Sequence, residues 1–466
     1  MKKILKVTGY FLLGIFVLLL IIVLSLQTRW AKNLIRDKVQ NYVQHKTNTT
    51  FEIGQIDFSF PKWIEIDGLF MLDKANDTLV WGKQVKIDVD MIALIQSKYV
   101  INKVVIDQFY VNLYNKEADS TYNYQFILDA FSSKKTAVKE PDTTQVLNLI
   151  VKDIDITHTQ FKQKDYYLGT FIDANLQKFH INLDSIDLQK LHVDVNDLMV
   201  EGLDFRYLIT KPQKTSDGKT PNPLFTINKT IVKNSHIYFE NKPDYLLTDN
   251  YINYLDIVDL NNTTQLNTYS TSSIVLNNSA FLFQHKSENE VVKVVADTLT
   301  AIANNNTSLG IIIKDIALQN NSVVYNNISQ PQKRAGLDYH HLDIKDLKLL
   351  ASNTKFDNGN IKTNIQSFGF RDKSGFAIDT LSGLVNLDSS NVNIKDFYVQ
   401  TPYSKIAASA LIYPESFKGG NKQRFPLPDN EIKLTQTIIS RKDLELLSDS
   451  LANIYKKQLE DRKSVV

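Results

Sequence analysis

Past residue 50 the apolar positions recur at every second residue. Phe51-Glu52-Ile53, Ile56-Asp57-Phe58-Ser59-Phe60 and Trp63-Ile64-Glu65-Ile66 open the pattern. Val85-Lys86-Ile87-Asp88-Val89-Asp90, Phe179-His180-Ile181-Asn182-Leu183, Leu191-His192-Val193-Asp194-Val195, Leu342-Asp343-Ile344 and Val392-Asn393-Ile394 continue it. Successive side chains of a strand point to opposite faces, so the alternation predicts half-buried strands with one apolar and one polar face. Counting such runs gives roughly 20–25 strands, which at about 4.8 Å each predicts a body on the order of 100 Å long. Helical spacing is confined to 29–46, 91–95, a stretch around 124–131, and a terminal run in which Leu447, Leu451, Ile454 and Tyr455 share a face. So few helices cannot cover the sheet, which must curl on itself or hold something apolar.

Before residue 50 the pattern differs. Residues 8–26 read TGYFLLGIFVLLLIIVLSL without a charge, enough at about 1.5 Å per residue to cross a ~30 Å hydrocarbon layer. Lys2, Lys3 and Lys6 would also suit a cleaved signal peptide. However, the apolar stretch exceeds the usual ~7–15 residues, and Leu24-Ser25-Leu26-Gln27 has no small-x-small cleavage site, so an uncleaved transmembrane anchor is the reading. Arg29, Lys32, Arg36 and Lys38 on its far side leave the positive-inside comparison close to a tie. Trp30, Leu34, Ile35, Val39, Tyr42 and Val43 then recur at helical spacing. They describe either an amphipathic helix on the membrane surface or a continuation of the anchor packed on the following sheet.

Polar breaks at 132–145, 211–223, 329–336 and 414–428 read as long loops or joints. A short repeat also shows: Asn234-Ser235-His236-Ile237-Tyr238-Phe239, Asn278-Ser279-Ala280-Phe281-Leu282-Phe283 and Asn321-Ser322-Val323-Val324-Tyr325. It predicts a stacked β unit in which Asn-Ser makes the turn before an aromatic strand.

Composition narrows the function classes. Lys+Arg 53 against Asp+Glu 51, with no dominant block of like charge, lacks the footprint of a nucleic-acid groove, so no polynucleotide partner is expected. Hydrophobic residues at 43% and aromatics at 10% give enough buriable surface for a folded chain of 466 residues, either as several domains or as one extended body. The absence of cysteine excludes thiol nucleophiles, disulfides, iron–sulfur clusters and cysteine zinc sites.

Catalytic chemistry leaves little trace. None of the eight histidines sits in a metal-binding spacing, and the neighbours His340 and His341 would point to opposite faces of a strand. Asp88 and Asp90 imitate a glycosidase pair but are better explained as a solvated polar face. Gly218-Lys219-Thr220 resembles the end of a phosphate loop, yet Gln213 stands where the first glycine belongs and Pro221 where a helix should begin. No G-x-S-x-G or G-x-G-x-x-G turn appears. Neither an enzyme nor a bound cofactor or metal is expected.

The order of the motifs carries a resemblance. An apolar anchor, Gly54-Gln55-Ile56-Asp57, Phe60-Pro61 and Ile66-Asp67-Gly68-Leu69 resemble the amino-terminal region of AsmA-like and TamB-like envelope proteins. Leu79-Val80-Trp81 with 85–94, and 101–114 with Ser120-Thr121-Tyr122-Asn123-Tyr124-Gln125-Phe126, are similar to the strand–helix pairs that follow there. Ser374-Gly375-Phe376 and Tyr398-Val399-Gln400-Thr401-Pro402-Tyr403-Ser404-Lys405-Ile406 are similar to TamB versions from Bacteroidetes-like bacteria. The TamB-like proteins carry a longer β body and a carboxy-terminal domain, so the resemblance implies an amino-terminal portion of such a protein.

The expected fold is mainly β: an N-terminal transmembrane helix followed by an elongated, curled antiparallel β-sheet, a trough or taco-like body with a few short helices. Its expected parts are a cytoplasmic tail and anchor (1–28), a juxtamembrane amphipathic helix (29–46), an AsmA-like β module (47–131), a linker (132–146), a repetitive β body (147–440), and a truncated helical segment (441–466). The resemblance implies a single-pass inner-membrane protein with most of its chain in the periplasm. It implies movement of phospholipid between membranes, or assistance to outer-membrane barrel assembly with that barrel or its machinery as partner. Apolar strand positions would line the groove: Val85, Ile87, Val89, Ile181, Leu183, Val193, Val195, Ile237, Phe239, Phe281, Phe283, Val392 and Ile394. The residues themselves allow equally that these side chains pack together in a closed sandwich.

Overall fold

The computed structural model describes residues 24–25, 27–59, 63–96, 99–132, 149–187, 192–213, 224–263, 268–286, 310–357, 360–388, 391–412 and 431–447. The anchor stretch 8–26 lies outside them apart from Leu24 and Ser25. Among the described residues no helix is long and apolar enough to cross a membrane.

By internal contacts the chain divides into two units, Met1–Ser185 with Leu203–Tyr207, and Ile186–Gly202 with Leu208–Val466. The first begins with α1 (Arg29–Thr47), whose cap residue Thr28 accepts the Ala31 N–H on Oγ1 at 3.3 Å. The helix ends at Asn48, left-handed at φ 49°, whose N–H donates to the Gln44 carbonyl at 2.7 Å. There follow β1 (Phe51–Ser59), β2 (Trp63–Leu72), β3 (Thr78–Val89), α2 (Met91–Ile95), β4 (Tyr99–Tyr114), α3 (Gln125–Phe131), β5 (Leu149–Asp165) and β6 (Thr170–Asp187). The expected helices at 91–95 and 124–131 are therefore present.

The long strands β7 (His192–Ile209), β8 (Leu224–Asn241) and β9 (Leu246–Thr263) come next, then β10 (Thr268–Asn277), β11 (Ala280–His285) and β12 (Gly310–Asn327). The remaining elements are β13 (His341–Asp357), β14 (Asn360–Asp372), β15 (Ala377–Leu387), β16 (Val392–Gln400), β17 (Lys405–Ile412), β18 (Glu431–Ile438) and α4 (Arg441–Leu447). Of the expected terminal helical face, only Leu447 falls within the described residues.

The 18 strands belong to one mixed sheet in which strands close in sequence pair with each other. The expectation of a purely antiparallel sheet needs correction, because β4–β5, β10–β12 and β11–β12 run parallel. A parallel neighbour requires the chain to return to its starting end, and the long connections 115–148 and 286–309 supply that return. Among the described residues there are 18 strands, and several are long: β6, β7, β8, β9 and β12 each hold 18 residues.

Those strands are interrupted by left-handed residues rather than ended by them. Gln108 in β4, His158 in β5, Asn234 in β8, Asp259 in β9, Asn320 in β12, Asn353 in β13 and Asp396 in β16 all have φ near +50°. An isolated left-handed residue breaks the face alternation and bends the strand, as a bulge does. The expected Asn-Ser turns are corrected by this feature. Asn234-Ser235 and Asn321-Ser322 lie inside strands, and Asn278-Ser279 separates β10 from β11, both of which pair with β9 and β12.

Candidate functional site

In the first unit, the ladders align the alternating positions into rows. Phe58, Ile64, Ile87, Val104, Ile154 and Ile181 stand opposite one another across β1 to β6, as do Ile56, Ile66, Val85, Ile106, Ile156 and Phe179. Residues two apart on a strand share a face, so these two rows form one apolar surface six strands wide. The adjacent positions are polar and paired: Lys86 with Glu65 at 2.9 Å, and Lys103 with Asp155 at 2.5 Å, which also meets His180 Nδ1 at 2.6 Å. Burial pushes the Asp155 carboxyl up, but the hydrogen bonds from Lys103 and His180 outweigh it and hold it below the ordinary value.

The second unit carries a longer row. Val232, Leu255, Leu276, Leu318, Leu349, Phe368, Leu381, Val399 and Ile406 stand successively opposite one another on β8, β9, β10 and β12 through β17. Every member is apolar and every member is half-buried. Beside it runs a second row, Ile257, Ile274, Ile316, Ala351 and Ile365, of which only Ala351 is buried. Apart from Ala351, none of these side chains is fully covered.

The thirteen expected lining residues divide among these surfaces. Val85, Ile87 and Ile181 sit in the first unit's rows, Val89 stands opposite Ile101, and Leu183 lies farther along β6. Val193 and Val195 are on β7. Ile237 and Phe281 flank Asn250 of β9, while Phe239 and Phe283 flank Thr248, so a polar strand position separates the members of each pair. Val392 joins the row Ile311, Phe356, Ile361, Leu387, Val392 and Ile412, and Ile394 pairs with Val385 and Ala410. Leu183 and Val195 are buried and the other eleven are half-buried.

Around Phe283 the surface stays uncharged. Phe283 stacks on Tyr325 with centroids 6.1 Å apart, and the Tyr325 hydroxyl lies 2.6 Å from His285 Nε2. Burial pushes the imidazole of His285 down and the phenol of Tyr325 up, so both stay neutral near pH 7.

The nine-strand row escaped sequence reasoning, although a signal for it existed. Val232, Leu276 and Leu318 each stand two residues before a left-handed asparagine, Asn234, Asn278 or Asn320. The sequence repeat, aligned on Asn320 in place of Asn321, passes through all three. Asn320 Nδ2 donates to Asn278 Oδ1 at 2.7 Å, tying those two positions directly.

The remaining sequence candidates are structural. Asp90 caps α2, accepting the Ala93 N–H at 3.0 Å, and does not share a strand with Asp88. His341 is buried with Nδ1 2.9 Å from Asp338. Among the described residues no cluster of ligating side chains could hold a metal ion. The stretch 218–220 lies outside the described residues. No family model matches the chain, and no curated protein matches it.

Proposed function

We propose that this protein is a membrane-tethered carrier that passes phospholipid along an apolar β-sheet groove between the inner and outer membranes of a cell envelope. The carrying observation is the row from Val232 to Ile406, nine apolar side chains on nine consecutive strand positions, all partly exposed. Moving an acyl chain of about sixteen carbons through water costs on the order of 12 kcal/mol at ~0.8 kcal/mol per CH₂. A continuous apolar surface removes most of that barrier, and no bond needs to be made or broken. The anchor at 8–26 holds one end at the inner membrane, the bulk of the chain lies in the periplasm, and the resemblance to AsmA-like and TamB-like proteins agrees with that placement.

The test is a charge placed in the row. Full-length Leu276→Asp and Leu349→Asp proteins, purified from membranes, should lose copurifying phospholipid while keeping their β-sheet circular dichroism. Retention of the wild-type amount of lipid would overturn the proposal.

A second reading, an assembly scaffold for outer-membrane barrels, is favoured by β18. Its Ile432 and Leu434 are 60% and 58% exposed, and such a strand invites pairing with another chain. Crosslinks from β18 to a barrel that persist in Leu349→Asp would favour it over lipid carriage.

A further inference from the structure

The polar side of the second unit departs from the pairing seen in the first. Lys355 of β13 and Lys362 of β14 stand directly opposite each other, and like charges at opposed positions destabilise a ladder. Together with Lys314 and Lys395 they line an open cavity of about 740 Å³ over β12 to β16. Its lining contains four lysines and no carboxylate. The one ion pair these lysines make among the described residues is Lys355 with Asp357 at 3.4 Å. In the first unit, by contrast, Lys83, Lys86 and Lys103 each face a carboxylate on a neighbouring strand.

The same cavity holds exposed apolar side chains, Ile312 at 42% and Leu384 at 45%. Ile312 is opposite Lys355, and Leu384 is opposite Lys395, so each lies beside a cationic head. Phe356 and Ile361, the strand neighbours of Lys355 and Lys362, belong to an apolar row. Strand neighbours point to opposite faces, so the lysine pair lies on the face away from that row.

We propose that this cavity is a second binding site, for an anionic amphiphile whose phosphate head lies between Lys355 and Lys362 and whose chain lies against Ile312 and Leu384. Four cations around one cavity fit a phosphate monoester, and a cavity of this size fits a head group with part of its tail. The lysine pair itself lies on the face away from the row of Phe356 and Ile361. The lysine pair would be held together by the anion, in the way the first unit's lysines are held by carboxylates.

The probe is dihexanoyl phosphatidic acid, titrated calorimetrically into the full chain held in amphipol, with dihexanoyl phosphatidylcholine and inorganic phosphate as comparisons. Phosphatidic acid should bind, should weaken as salt rises, and should lose about tenfold in affinity in Lys355→Gln/Lys362→Gln and about threefold in Leu384→Ser. Lys362→Glu removes the like-charge pair, so it should lose binding with no fall in Tm, which separates loss of the site from misfolding. The inference fails if phosphatidic acid does not bind, if phosphatidylcholine binds equally well, or if the double lysine variant is unaffected. Equal binding of inorganic phosphate would assign the site to a free anion and contradicts it.

Discussion

Gln40 of α1 accepts the backbone N–H of Ile53 through Oε1 at 3.2 Å. Gln44, one turn on, donates to the Phe51 carbonyl at 2.8 Å, and Arg36 donates to the Gly54 carbonyl at 3.3 Å. Lys32 adds an ion pair to Asp57. The helix thus supplies partners for backbone groups of β1 beyond its ladder with β2, which blunts an edge that would otherwise recruit another strand. Packing on the sheet leaves Trp30, Leu34 and Tyr42 exposed on the same helix, at 74%, 43% and 56%.

Loss of the two amides should therefore show in two ways. Gln40→Ala/Gln44→Ala should cost roughly 1 kcal/mol per lost hydrogen bond in urea unfolding. It should also increase self-association in sedimentation, because the β1 edge becomes available. Unaltered stability together with unaltered association would mean the helix caps nothing.

Gly82 of β3 stands opposite Phe109 of β4, and a Cβ at Gly82 would lie 2.3 Å from the Phe109 ring. The ring occupies the space that glycine leaves. Gly82→Ala should lower stability by about 1–3 kcal/mol, as overpacking does. Phe109→Leu in the same chain should recover part of that loss, measurable as a coupling in a double-mutant cycle.

The alternation of apolar and polar residues made the β class legible, along with α2, α3 and the polar surface opposite the apolar rows. The parallel ladders were not legible, because pairing direction depends on where a connection such as 115–148 returns the chain. Strand length was hidden by residues such as His158 and Asp259, which reverse the side-chain alternation in mid-strand and imitate an ending. Leu349-Leu350-Ala351 illustrates the difficulty with the site: three apolar residues in succession mask the period, and only the ladder assigns Leu349 to the row while Leu350 stays 49% exposed.

The left-handed asparagines give a direct test of that reading. Asn278→Gly should be tolerated, since glycine enters this conformation freely, whereas Asn278→Val should cost about 1–2 kcal/mol. Thermal unfolding of both variants decides the matter; equal losses would contradict it.

Acid should weaken the first unit through specific carboxylates. Asp165 is buried, which pushes its pKa up. The Leu168 N–H at 2.7 Å, Asn115 Nδ2 at 2.8 Å and the Tyr122 hydroxyl at 2.8 Å outweigh that cost and hold it below the ordinary 3.8. Asp73 is held down in the same way, with burial opposed by hydrogen bonds from Asn123, Tyr114 and the Asp77 and Ala75 amides. A carboxyl depressed in the folded chain stabilises it above the unfolded value and loses that contribution as pH falls through the folded one. Urea unfolding should thus show a decline below about pH 4. Asp165→Asn should be less stable at pH 7 and show a shallower decline, and a slope unchanged by the substitution would refute the assignment.

The central claim is that the row through Leu276 and Leu349 contacts lipid in the working protein. A photoreactive benzoylphenylalanine at each of these positions in the full-length chain, irradiated in intact cells and analysed by mass spectrometry, tests it most directly. Phospholipid adducts at Leu276 and Leu349, and none at Lys348 on the strand's other face, are the expected result. Adducts to protein alone at both leucines, or equal lipid labelling at Lys348, would contradict the account.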